Sequence, residues 1–190
     1  MKMTAHPRFK ELLDLIEKTP RLTRRWQGIV FRSVIPDAAD PVKILSGQGS
    51  FRNGGRWNAI GSVRAAYAST KPEVALAEAL SHYRYYGLRD EDAMPRVTVA
   101  LRFKLRTVLN LSSLNVQRKL NLNLPEIMSE DWRKFQDAGK ESQSQSLGRA
   151  AAAAGLEGML VPSGVVRNGI NFVYFPDNAV RGSVAQLYEK

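Results

Sequence analysis

Arg32, Arg56, Tyr67, Glu78 and Ser163 are the side chains of this sequence whose types and settings could do chemistry. Arg56 stands in NGGRWNAIG (53–61), where three glycines, an arginine and a tryptophan share nine positions. Such a stretch is either a plain hairpin, with Asn53-Gly54 as its turn, or a loop built around a phosphorylated ligand. Glu78 lies in EVALAEALSHY between Ala77 and Ala79. Its neighbours on a helical face, Val74, Ala75, Ser81 and His82, are small or only partly polar. A carboxylate there must meet a cation or a ligand hydroxyl, because burying it alone costs several kcal/mol. An ion pair with Arg84 or Lys71 would serve, and so would a pocket. Arg32 interrupts the apolar run VFRSV, Tyr67 sits in RAAYAS as a core aromatic would, and Ser163 sits in a Pro-Ser-Gly turn.

Much other chemistry is excluded. The 190 residues hold no cysteine and two histidines, so disulfides and thiolate metal sites are absent, and no HExxH is present for zinc. There is no GxxxxGK[ST] phosphate loop and no GxSxG, and SGQGS lacks the third glycine of a dinucleotide fingerprint. No apolar run approaches the roughly 20 residues of a membrane helix, and the N-terminus lacks the apolar stretch of a secretion signal. A cytoplasmic protein is expected. The excess of 28 Lys+Arg over 18 Asp+Glu, net +10, favours an anionic partner: nucleic acid, an acidic protein or a phosphate-bearing small molecule.

The elements that must position these residues read as follows. Phe9, Leu12, Leu13 and Ile16 have helical spacing, and Pro20 is expected to stop that helix. QGIVFRSV and VRAAYAS read as strands, with a loop-rich stretch from Pro36 to Trp57 between them. Thr70 and Glu73 have capping-box spacing, and Pro72 suits a first helical turn, so a helix is expected through to Gly87. RVTVALRFKLRTVLNL alternates. Val97, Val99, Leu101, Phe103 and Leu105 face one way; Arg102, Lys104 and Arg106 face the other. Helices over EIMSEDWRKFQDAG and SQSLGRAAAAAG, then short strands GMLVPS, INFVYF and SVAQLYE, complete the chain. Strands and helices mix without a βαβ rhythm, which predicts an α+β fold with a mixed or mostly antiparallel sheet.

In this order VFRSV, GGRWNAIG, AAYAST, EVALAEAL, GLEGMLVPS and GINFVYF resemble the RES family, named for its arginine, glutamate and serine. The resemblance runs from Ile29 to Pro176 and implies one RES-type domain over residues 1–190, with residues 1–25 as a helical extension. It further implies sheets around a cleft with flanking helices, similar to the ADP-ribosyltransferase fold. The implied activity is that of a bacterial toxin that cleaves the nicotinamide–ribose bond of NAD+ by hydrolysis or phosphorolysis, or that passes ADP-ribose to a specific protein. NAD+ is then a substrate, no metal is needed, and the partner is an Xre-type antitoxin.

By motif position Arg32, Tyr67 and Glu78 would be the catalytic residues. Arg32, Arg56, Gly55, Tyr67 and Ser163 would hold NAD+. Arginine forks would bind the diphosphate, with Gly54 and Gly55 letting the backbone approach it. Glu78 would face the ribose, Tyr67 would stack on nicotinamide, and Ser163 would hydrogen-bond the cofactor. The basic strand face of Arg102, Lys104 and Arg106 would be a solvated surface or a dock for an acidic antitoxin segment or target protein. A nucleic-acid-binding module is the rival function. The charge favours it, but the lack of a helix-turn-helix, an RNP-type aromatic pair or a zinc knuckle argues against it, so direct nucleic-acid binding is not expected.

Overall fold

The computed structural model describes residues 3–19 and 21–188, so Pro20 lies outside the described residues. The alternation of VTVALRFKLRTVLN produces the longest strand, β3 (Val97–Asn110), on which Leu101, Phe103 and Leu105 are buried while Arg102, Lys104 and Arg106 are exposed. It pairs antiparallel with β1 (Thr23–Val34) from Thr23↔Leu109 to Val34↔Val97, with a register shift between Arg24 and Trp26. Along its other edge β3 takes β6 (Val184–Leu187) antiparallel and β4 (Gly158–Pro162) parallel. β4 continues to β5 (Ile170–Tyr174), β5 to β2 (Ala66–Ser69), and β2 returns to β1 through Phe31↔Ser69. The six strands therefore form one mixed sheet, as the irregular order of elements predicts, and it closes on itself through the β1–β3 pairing.

Each face of this sheet buries its own apolar cluster. On the inner face lie Val30, Val34, Ala66, Ala68, Leu101, Phe103, Leu105, Leu160, Phe172 and Tyr174. Trp26 stacks on Phe172 there at 4.6 Å between ring centroids. On the outer face Leu109, Met159, Val161 and Val173 pack against helices α1 (Phe9–Lys18) and α8 (Gln143–Ala153). Leu12 and Ile16 of α1 meet Leu147, Ala150 and Ala151 of α8 in that cluster. Because β1 begins at Thr23, Thr23–Arg25 of the expected N-terminal extension belong to the sheet.

Three local readings of the sequence change. The stretch expected to be loop contains α2 (Pro41–Leu45), capped by the Asp40 side chain, and α3 (Gln48–Asn53). The next helix, α4 (Pro72–Tyr85), starts on Pro72 as expected, but Lys71 is its N-cap. The Thr70 hydroxyl instead donates to the Ile170 carbonyl at 3.2 Å, so no capping box forms. After α5 (Leu114–Lys119), the helix expected over 126–139 is two: α6 (Leu124–Ser129) and α7 (Trp132–Asp137). They part where the Arg56 guanidinium takes the carbonyls of Met128 and Glu130, both at 3.2 Å, and where the Asp131 side chain caps α7. Among the described residues no helix is long and apolar enough to cross a membrane.

Candidate active site

The outer face of β2 and β5 turns polar at one end. Tyr67 and Ser69 on β2 lie opposite Val173 and Asn171 on β5. Ser69 Oγ donates to Asn171 Oδ1 at 2.6 Å, which turns the amide's Nδ2 toward α4. There Asn171 Nδ2 donates to Glu78 Oε1 at 2.6 Å, and Ser163 Oγ donates to the same oxygen at 2.6 Å. Oε2 of Glu78 makes no hydrogen bond among the described residues and is open to solvent. The half-buried carboxylate is thus pinned through one oxygen and offers the other. Neither Arg84 nor Lys71 is its partner; Arg84 pairs with Asp90.

Ser163 does two things at once. It closes the turn that its flanking Pro162 and Gly164 imply, because its Oγ accepts from the backbone N–H of Val165 at 3.1 Å and Val166 at 2.9 Å. Its single hydroxyl hydrogen then goes to Glu78, where the sequence reading had it free for the cofactor.

Arg56 comes from the 53–61 loop to the same place. Its Nη1 holds the C-terminal carbonyls of α6, while Nε and Nη2 have no hydrogen-bond acceptor among the described residues and lie beside Gly164, next to Ser163. Burial lowers the guanidinium's pKa, and the nearby Glu78 carboxylate pulls it back up.

The loop itself is knotted to the protein. Tyr67 Oη accepts from the Trp57 N–H at 3.0 Å and donates to Asn58 Oδ1 at 2.7 Å. Buried Asn58 donates on to the carbonyls of Ser50 and Val63. Trp57 is buried in the outer-face cluster. A Cβ on Gly55 would stand 2.5 Å from the Tyr67 hydroxyl, and one on Gly148 of α8 would collide with the Trp57 carbonyl oxygen.

The glycines therefore admit protein groups. The N–H of Gly54 goes to the Ser50 carbonyl and that of Gly55 to the Asn58 carbonyl, so neither is free for a phosphate. That corrects the expectation of a backbone cradle at Gly55: the small residue is needed for the Tyr67 contact. Burial pushes the Tyr67 phenol well above its usual range, so it stays protonated and keeps donating to Asn58.

Arg32 does not join the Glu78 cluster directly. It lies opposite Val99 on β3, and its strand parity puts it with Val30 and Val34 on the inner face. Its Nη1 donates to the Ile44 carbonyl of α2 at 2.8 Å. Burial lowers its pKa to about 10, and the Tyr67 side chain opposes that shift, so the two groups feel each other through the sheet. The structure thus gathers Glu78, Ser163, Arg56 and Tyr67 around one end of β2 and sets Arg32 behind them.

Ser69 and Asn171 were not singled out in the sequence. The available signal was a polar residue in the apolar strand INFVYF, at the parity of Val173. A cavity of about 650 Å³ opens beside this cluster, lined by the 162–170 loop with Ser112, Gln117 and Leu124, and it touches the cluster only through Ser163. Glu78 is the candidate site, because paired and unpaired polar groups converge on its carboxylate.

A family model described as the RES domain matches residues 29–189. No curated protein matches the chain. Among solved structures, one chain from the crystal structure of the M. tuberculosis MbcT–MbcA toxin–antitoxin complex matches with a TM-score of 0.70 and 22% sequence identity, covering 97% of this chain and 91% of that one.

Proposed function

The chain belongs to the RES family, and from that premise we propose that it is the toxin of a toxin–antitoxin pair and cleaves the nicotinamide–ribose bond of NAD+. The observation that carries this reading is the Glu78 carboxylate, fixed by Ser163 and Asn171 through Oε1 with Oε2 left open, beside the donors of Arg56. A dinucleotide whose ribose faces Oε2 gives that oxygen a hydroxyl to accept from. As the C1′–N bond breaks, the electron pair leaves with nicotinamide, and C1′ gains positive charge that the carboxylate stabilises. Water, giving up a proton to solvent, or phosphate then bonds to C1′ from the vacated side. Pinning Oε1 means the carboxylate need not reorganise as charge develops.

Arg56 Nε and Nη2 suit the diphosphate, as planar donors do. Tyr67 fixes the loop that aims Arg56 and adds a ring edge for nicotinamide. Arg32 supports α2 and, through it, the segment that runs into Arg56. The whole chain acts as one unit, with α1 as its helical extension.

The complex in which the structural neighbour was solved supports an antitoxin partner, which we take to be of the Xre type. The test is incubation of the purified protein with NAD+ and measurement of released nicotinamide, in plain buffer, with phosphate, and with cell lysate and labelled NAD+. ADP-ribose as product identifies water as acceptor, ADP-ribose 1″-phosphate identifies phosphate, and labelled protein identifies a side chain. No nicotinamide in any arm refutes the proposal.

A further inference from the structure

A second guanidinium near this site has no acidic partner. Arg133, the second residue of α7, places its guanidinium carbon over two rings, 4.5 Å from the Tyr85 centroid and 4.3 Å from that of Trp132. Trp132 is buried and Tyr85 is held by its hydroxyl to Asp131, so both rings are fixed. Such stacking holds a guanidinium in place while leaving its edge donors free. Among the described residues the Arg133 side chain makes no ion pair and no hydrogen bond, and its Nε is buried without an acceptor. The acids near it are engaged elsewhere. Asp131 serves Lys134 and Tyr85, and Glu130 accepts from the Ser144 N–H. Buried donors are seldom left unmatched, so an unmatched one asks for an explanation.

The position supplies one. Tyr85 lies seven residues after Glu78 on α4, so the two share a helical face roughly 10 Å apart along the axis. Arg56 grips the α6–α7 junction at Met128 and Glu130, three residues from Arg133. Arg56 and Arg133 therefore flank one stretch of surface leading away from the Glu78 carboxylate, and each has unsatisfied donors. Two cations placed so repel each other until an anion lies between them.

We propose that Arg133 is an anion-binding residue of this site and, with Arg56, clamps the diphosphate of the bound dinucleotide. The assignment rests on the reading of the Glu78 site as a dinucleotide site. It gives the second arginine fork to a side chain outside the family motifs, in place of Arg32 on the inner face. The Arg133 charge also reaches His82, whose pKa burial and Arg133 together lower. An anion on Arg133 would cancel part of that charge and raise it.

Binding of ADP-ribose tests this without cleavage. Calorimetry with the intact protein should show binding that weakens tenfold or more in Arg133→Gln, with Arg133→Lys falling between because it keeps the charge and loses the fork. In imidazole NMR spectra, inorganic pyrophosphate should shift His82 and raise its pKa, while His6, the protein's other histidine, serves as internal control. If NAD+ is cleaved, Arg133→Gln should raise KM and leave kcat nearly unchanged. ADP-ribose binding equal in wild type and both variants, no binding to wild type, or an unmoved His82 would overturn the assignment. Arg133-dependent ADP-ribose binding by a protein that leaves NAD+ intact would uphold the clamp and refute the NAD+-cleaving activity alone.

Discussion

Two halves of one sheet face carry much of this protein's excess positive charge, and they hold it differently. Over β1 and β3 the outer face presents Arg25, Arg102, Lys104 and Arg106, all exposed, and none of them forms an ion pair among the described residues. Arg102 rests over the Tyr188 ring, and a shallow groove of about 350 Å³ is lined by Arg25, Lys104 and Arg106. Over β2 and β5 the cations are few, but each is fixed: Arg56 by helix carbonyls, Arg133 by two rings. Arg56 lies near a carboxylate that is itself pinned. The net charge of +10 marks the first half and says nothing of the second. Mobile cations on a wet surface attract anions at long range, whereas fixed donors at a half-buried carboxylate can discriminate geometry.

The largest effect expected from that contrast belongs to Glu78→Gln. It keeps the shape and removes the charge, so nicotinamide release should fall on the order of 100- to 1000-fold while the melting temperature holds. A variant that folds and turns over NAD+ at the wild-type rate would strip the β2–β5 half of its special status. Asn171→Ala should cost less, because Ser163 still holds Oε1. It should lower kcat more than it raises KM, since it frees the carboxylate's orientation.

Tyr67→Phe comes next and reads the loop. It leaves the Trp57 N–H and Asn58 Oδ1 without their partner. Stability should drop by about 1–3 kcal/mol, several degrees in Tm, with a smaller loss of turnover than Glu78→Gln. An unchanged Tm by calorimetry would mean that the loop is not held through that hydroxyl. Arg32→Met should act through α2, because the Ile44 carbonyl loses its donor. A modest Tm decrease and a rise in KM smaller than that of Arg56→Met are expected. A larger KM effect at Arg32 would show that the ligand extends to the inner face.

The sequence made this division partly legible. The clean alternation of β3 predicted both the buried row and the basic row, since a period of two needs no distant information. Pro72 placed the start of α4, and the order of the RES motifs brought Glu78, Ser163 and Tyr67 into question together. What stayed hidden depended on contacts far along the chain. Glu78 is held from Ser163 and Asn171, 85 and 93 residues away. The break between α6 and α7 comes from Arg56, and helices of five or six residues such as α2 and α3 carry too little periodicity to stand out. The face of Arg32 was readable in principle from its parity with Val30 and Val34, but an arginine among valines reads as exposed until the closed sheet shows where its guanidinium goes.

The smallest effect on chemistry is expected where the charge is densest. Replacing Arg102, Lys104 and Arg106 together with glutamine changes three exposed side chains, of which only Arg102 has a ring contact. NAD+ turnover and Tm should stay close to wild type, the latter because exposed substitutions of this kind shift stability by only about half a kcal/mol each. If the β1–β3 half is the dock for an acidic antitoxin segment, the same variant should associate with the antitoxin more slowly, and added salt should slow the wild type toward the variant's rate. Stopped-flow association at two salt concentrations measures both. Equal rates for the two proteins at low salt would make this face a solvated surface, and a fall in turnover would show that the two halves of the sheet are not independent.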